Sequence, residues 1–196
     1  MINNKRLLIF LSKLAEVYPI GRFKYAPGTL ASLVGLVFGY YILIILKIKL
    51  FLLFIFIFVI ISYFICEAHI KLHKKKDPKE VVVDEFAGQF VALLGIIDSS
   101  SISYLLTSLL LSFLLFRFFD ITKIGLIKKF EKLPGGFGII TDDLVAGLCA
   151  FLTQAAILTS ISQPLIIKTN EDGTQEAVLK NSPQSNLYLR EFHKIL

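Results

Sequence analysis

Residues 29–66 read TLASLVGLVFGYYILIILKIKLFLLFIFIFVIISYFIC, and their only charges are Lys47 and Lys49. A helix rises ~1.5 Å per residue and hydrocarbon is ~30 Å thick, so a spanning helix needs about 20 largely apolar residues. The halves 29–46 and 50–66 each approach that length. The link Lys47-Ile48-Lys49 is short enough to make them a tight helical hairpin. Further apolar runs cover 81–97, 104–121 and 137–161. The whole chain agrees: of 196 residues 55% are hydrophobic, and the mean hydropathy is +0.72. Soluble domains hold ~45–50% apolar residues, so the excess marks a lipid solvent rather than a larger core. The expected fold is all-α, a multi-spanning transmembrane bundle of about five apolar helices.

The run 81–97 is the exception, because Asp84 and Glu85 shorten its apolar part to 86–97. Counting Lys and Arg in the connections brings it back as a crossing. There are five before residue 25, two in the hairpin link, five in 71–80, none in 98–103 and five in 117–132. That alternation predicts five crossings with the N-terminus in the cytoplasm. The +6 net charge and pI near 9.3 arise from these clusters, which fit loops held at anionic headgroups and argue against nucleic acid. Residues 3–23 are amphipathic, with Leu7, Leu8, Leu11, Leu14 and Ala15 at helical spacing. A helix in the interface plane and a partly buried first helix of the bundle both fit. Domain organisation is a membrane-embedded unit, 1–162, and a polar C-terminal tail, 163–196, in which four cations balance four acids. Cys66 and Cys149 lie inside apolar runs and show neither metal spacing nor a disulfide framework.

Ionisable groups beside hydrocarbon are costly, so they point to function by default. Here they are Asp84, Glu85, Asp120, Asp142 and Asp143. With the orientation above, all five fall at one depth near the cytoplasmic surface, and the outer ends carry only Asp98. Gly88 and Gly147 stand four residues after Asp84 and Asp143, one turn along the same helical face. Small residues there let backbones approach and draw carboxylates from different helices together. Crowded carboxylates repel unless a divalent cation neutralises them, and Mg²⁺ prefers hard oxygen ligands. The helix macrodipole alone accounts for acids in a first turn, but it disfavours Asp120 at a helix C-terminus. A shared metal or proton site accounts for all five.

Cations and glycines surround these acids. Arg117, Asp120 and Lys123 are three apart; Arg117 can pair with Asp120, and Lys123 can meet lipid phosphate. Pro134-Gly135-Gly136 and Pro27-Gly28-Thr29 are loop-to-helix entries whose exposed N–H groups suit phosphate, with Thr29 as N-cap. His69 and His73, with Glu67 nearby, make half a zinc site; without a fourth ligand they read as a solvated basic helix surface. Ala31, Gly35 and Gly39 form a small-residue stripe for helix packing.

Four stretches together resemble the phosphatidylglycerophosphatase A family of bacterial membrane lipid phosphatases. They are Pro27-Gly28-Thr29-Leu30-Ala31-Ser32, Val83-Asp84-Glu85-Phe86-Ala87-Gly88, Phe116-Arg117-Phe118-Phe119-Asp120 with Lys123, and residues 135–147, GGFGIITDDLVAG. Their order and spacing agree over roughly residues 20–160. Two positions depart: Lys123-Ile124-Gly125-Leu126-Ile127 lacks the family's two prolines, and Ala31 replaces a usual glycine. The resemblance implies Mg²⁺-dependent hydrolysis of phosphatidylglycerophosphate to phosphatidylglycerol, with the active site facing the cytoplasm from the bacterial inner membrane. It implies that Asp84, Glu85, Asp120 and Asp143 hold the metal, with Asp142 as a further ligand or base. Thr29, Arg117, Lys123, Gly135 and Gly136 would bind the substrate. Water and a carboxylate both remain candidate nucleophiles. The rival from another class is a small cation or proton transporter using the same acids. Transport carboxylates usually lie near the bilayer midplane, which disfavours it.

Overall fold

The computed structural model describes residues 5–75, 78–96 and 102–161, together with the backbone of two strands, 165–169 and 175–179. Lys76, the connection carrying Asp98 and most of the tail lie outside the described residues. The elements are α1 (Lys5–Ala15), α2 (Pro27–His73), α3 (Val83–Ala92) with a 3₁₀ turn Leu93–Gly95, α4 (Ile102–Thr122), the short α5 (Ile127–Phe130) and α6 (Gly135–Ile161). The tail adds β1 (Leu165–Thr169) and β2 (Gln175–Leu179), paired antiparallel with Leu165 opposite Leu179. The expected all-α bundle is present up to residue 161, and this two-stranded hairpin lies in the polar tail beyond it.

α2 is rich in Ile, Val and Phe, residues of middling helix propensity in water. In hydrocarbon the backbone must satisfy its own polar groups, and helix is the way a single segment does so. Pro27 starts α2 where its missing N–H costs nothing. The helix breaks at Lys47, which takes φ 60°, ψ 169°. Its two arms fold back on each other, because Pro27 and His69 line one cavity. The hairpin expected at Lys47-Ile48-Lys49 is present.

Among the described residues, three helices are long and apolar enough to cross a membrane: α2, α4 and α6 through Ser160. α3 is not among them. With its 3₁₀ turn it rises about 21 Å, short of ~30 Å of hydrocarbon. Its apolar residues are buried inside the protein rather than turned to lipid: Val83, Phe86, Ala87, Phe90 and Ala92 are all buried. The five expected apolar helices exist as the two arms of α2 plus α3, α4 and α6, and α3 is the short central one. Phe90 is its hub, with ring centroids 5.1 Å from Phe58, 5.5 Å from Phe54 and 6.1 Å from Phe86.

The outer surface is the reverse of a soluble protein's. Leu106, Leu110, Leu114 and Phe118, four apart on α4, are each more than 50% exposed, while Ser108, Ser112 and Phe116 on the opposite face are buried. Polar side chains tie the helices inside: Gln89 Nε2 donates to Ser112 Oγ at 3.1 Å, and Gln154 Nε2 to the Ser108 carbonyl at 3.0 Å. α1 docks by its small and polar edge, burying Ser12 and Ala15, and leaves Leu7, Ile9, Phe10 and Leu14 exposed. Both readings of this helix fit that arrangement, since one edge packs on the bundle while the apolar side stays exposed.

Candidate active site

The site forms where α3 and α6 touch most closely. A Cβ added to Gly147 would collide with the carbonyl of Gly88, and one added to Gly88 would lie 2.6 Å from the carbonyl of Asp143. Only two glycines permit this approach. One turn earlier on each helix stand Asp84 and Asp143, and the contact carries them together. Carboxylate oxygens of Asp84, Glu85 and Asp143 all lie within 4.8 Å of one another. Asp84 and Asp143 are 9% and 4% exposed, so little water offsets the crowding of charge.

α4 brings the second group. Arg117 Nη1 donates to Asp120 Oδ2 at 2.5 Å and to Ser32 Oγ at 3.2 Å, with Arg117 and Asp120 each 14% exposed. Ser32 in turn donates to the Gly28 carbonyl at 2.8 Å. Gly28 presses against Glu85, whose Oε1 would meet any added Cβ. Thus the α2 entry, the α3 acids and the α4 ion pair interlock. Asp120 stands outside the 4.8 Å triad, yet lies close enough to repel both Glu85 and Asp143.

Lys123 departs from the spacing argument. α4 ends at Thr122, and Lys123 turns with φ +46°, so it does not continue the Arg117–Asp120 face. It reaches Asp142 Oδ2 at 2.5 Å and Glu131 Oε1 at 3.0 Å. Burial pulls its pKa down, but the bonds to Asp142 and Glu131 outweigh that and hold it above the usual lysine range, so it stays cationic.

These side chains line one cavity of about 610 Å³, which includes Thr29, Asp84, Glu85, Arg117, Asp120, Lys123, Gly135, Asp142 and Asp143. Nine of the ten residues singled out from the sequence meet there. The tenth, Gly136, gives its N–H to Glu67 Oε1 at 2.7 Å. An internal carboxylate thus takes the amide that the sequence offered to phosphate. Thr29 is not an N-cap: α2 begins two residues earlier, with Ala26 capping in a left-handed conformation. Gly135 earns its place by geometry, since its φ of +67° is one that L side chains rarely adopt.

Several polar atoms at this site are buried without a hydrogen-bond partner among the described residues: Asp84 Oδ1, Glu85 Oε2, Asp142 Oδ1 and Arg117 Nε. Native proteins rarely leave such groups unpaired, so each marks a place for a ligand. Sequence reasoning missed Ser32, Glu67 and Glu131 as partners of the site. Each acts on a residue far along the chain or across a loop, and no local spacing signals it.

The fold and site define a membrane-helical protein with a buried, carboxylate-rich centre flanked by cations. A family model for phosphatidylglycerophosphatase A matches residues 13–158. Phosphatidylglycerophosphatase A of Haemophilus influenzae is 37% identical over 145 residues, covering 74% of this chain and 86% of that protein. The Escherichia coli K12 protein of the same name is 29% identical over 136 residues, covering 69% and 76%. A putative phosphatidylinositol-3-phosphatase of Bacteroides thetaiotaomicron is 38% identical over 80 residues, covering 41% and 48%. No solved structure matches. The chain belongs to the phosphatidylglycerophosphatase A family and is a lipid phosphatase. Nothing in these comparisons supports the transporter alternative.

Proposed function

We propose that the protein removes the terminal phosphate of phosphatidylglycerophosphate, releasing phosphatidylglycerol and inorganic phosphate, with Mg²⁺ as cofactor. The reaction would take place at the cytoplasmic face of a bacterial inner membrane. The observation that carries this reading is the triad of Asp84, Glu85 and Asp143, gathered within 4.8 Å, in which Asp84 Oδ1 and Glu85 Oε2 are buried without a hydrogen-bond partner among the described residues. Hard carboxylate oxygens from two helices, two of them unpaired, suit a small divalent cation and leave room for a phosphate in its shell. Asp84, Glu85 and Asp143 would hold the ion, with Asp120 beside them. When bound, it would supply Lewis-acid polarisation of the phosphoryl group.

The remaining chemistry belongs to this chain. Arg117 is fixed through Nη1 by Asp120 and Ser32, which leaves Nε as a donor for a phosphoryl oxygen. A preset donor of this kind stabilises charge as it develops on that oxygen. Lys123 pairs with Oδ2 of Asp142 and leaves Oδ1 open to accept the proton of an attacking water. The P–O bond to the glycerol breaks as the water oxygen bonds to phosphorus, and that proton passes on to the departing alkoxide. Exposed apolar residues on α2 and α4 suit contact with lipid, which would hold the cavity at the depth of a headgroup.

Phosphate release from phosphatidylglycerophosphate by the purified full-length protein tests this reading. Release should need Mg²⁺, stop with EDTA and return when Mg²⁺ is added in excess. Release unaffected by EDTA would remove the metal from the proposal, and no release from this lipid by an active preparation would remove the substrate.

A further inference from the structure

A second group of metal-ligand side chains lies outside the carboxylate cavity. His69 and His73 stand one turn apart near the end of α2, and Glu16 follows α1. One carboxylate oxygen of Glu16 and one ring nitrogen from each histidine lie within 4.8 Å of one another. Glu16 and His69 are each 2% exposed, whereas His73 opens to the surface. The third protein ligand absent from local sequence comes from 53 residues upstream of His69, on a different element.

We propose that Glu16, His69 and His73 form a second metal site, for a borderline transition-metal ion of the Zn²⁺ class, that clamps α1 to the end of α2. Two imidazoles and one carboxylate are the ligand set of three-ligand zinc sites, which keep a fourth position for water. The adjoining cavity of about 450 Å³, lined by all three residues, has room for that water. Nitrogen ligands separate this site from the all-oxygen triad, which favours Mg²⁺.

Partners that orient metal ligands are already in place. His69 Nδ1 lies 3.0 Å from Ser12 Oγ and 3.4 Å from the Ser12 carbonyl, which can only accept, so the tautomer with its proton on Nδ1 would serve both contacts. His73 Nε2 lies 3.1 Å from the same hydroxyl. A hydroxyl oxygen has two lone pairs and can accept from both rings, leaving each ring one unprotonated nitrogen, the state a metal requires. The rings are held close, with centroids 4.4 Å apart. Glu16 is gripped by Arg22, Nε to Oε2 at 2.6 Å and Nη2 to Oε1 at 3.2 Å, as ligating carboxylates commonly are. Glu80, on the same cavity wall, keeps Oε2 buried without a hydrogen-bond partner among the described residues. A clamp here would have structural reach, because the Ala15 carbonyl accepts from Val82 N–H at 3.0 Å, immediately before α3 and its acids.

The test is titration of Zn²⁺ into the purified full-length protein with saturating Mg²⁺ present, followed by calorimetry and by thermal unfolding. Wild type should bind one equivalent and unfold at a higher temperature with Zn²⁺. His73→Ala, chosen because its side chain is exposed, should bind at least tenfold more weakly and lose the thermal shift. Asp84→Asn should keep both. Glu16→Gln serves as a second ligand variant and should behave like His73→Ala. Three results would each overturn the proposal: no Zn²⁺ bound by wild type, equal binding by His73→Ala and Glu16→Gln, or binding lost in Asp84→Asn, which would put the ion in the carboxylate cavity.

Discussion

The carboxylate cavity and the histidine pocket lie at the same end of the bundle and share Pro27 and Lys79 in their walls, yet they are built on opposite terms. In the first, Asp84, Glu85, Asp142 and Arg117 each keep a buried polar atom without a partner among the described residues. In the second, Ser12 meets both histidines and Arg22 grips Glu16 with two nitrogens, and among the described residues Glu80 Oε2 alone on that wall is buried without a partner. The ion pairs differ in the same sense. Arg117 and Asp120 are both 14% exposed, whereas Arg22 is 55% exposed over a buried Glu16. Unpaired buried polar groups are expensive, and a fold keeps them where a ligand completes them. Chemistry therefore belongs to the carboxylate cavity, and fastening belongs to the pocket.

Substitutions should separate the two. The largest effect is expected for Asp84→Asn and Asp143→Asn, which keep shape and remove charge. Disturbing an outer-shell partner of a metal typically costs ~10–100-fold in activity, so loss of a ligand should exceed ~100-fold in phosphate release. Circular dichroism should remain that of wild type. Arg117→Lys should follow, since one ammonium cannot serve Asp120, Ser32 and a phosphate together. Losing a charge-assisted bond costs ~1.5–3 kcal/mol, or roughly tenfold to hundredfold in kcat/KM. Gly147→Ala should act through packing: its Cβ would press on the Gly88 carbonyl, costing about 1–3 kcal/mol in unfolding measured in detergent. The smallest effect is expected for Ser12→Ala, which removes the hydroxyl between His69 and His73. Roughly 0.5–1.5 kcal/mol of stability per bond is at stake there.

Much of the cavity was legible because charge in an apolar run is conspicuous. Asp84, Glu85, Asp120, Asp142 and Asp143 stood out for that reason, and the four-residue offset to Gly88 and Gly147 marked the helix contact that joins two of them. The α2 hairpin was readable from Lys47 and Lys49. Other features had no local signal. Glu67 caps the α6 entry from 69 residues away, and Glu16 joins the histidines from the turn after α1. The reading of α3 shows a limit of hydropathy itself. Most of residues 81–93 are buried in the bundle, and burial in protein writes the same composition as exposure to lipid. Length, rather than composition, separates the two.

The most direct test of the central claim, that α3 and α6 join their carboxylates around one cation, is Mn²⁺ binding followed by electron paramagnetic resonance on the protein in lipid. Wild type should immobilise Mn²⁺, Mg²⁺ should compete it off, and Asp84→Asn and Asp143→Asn should each release it. Retention of the same bound signal by both variants would contradict the account.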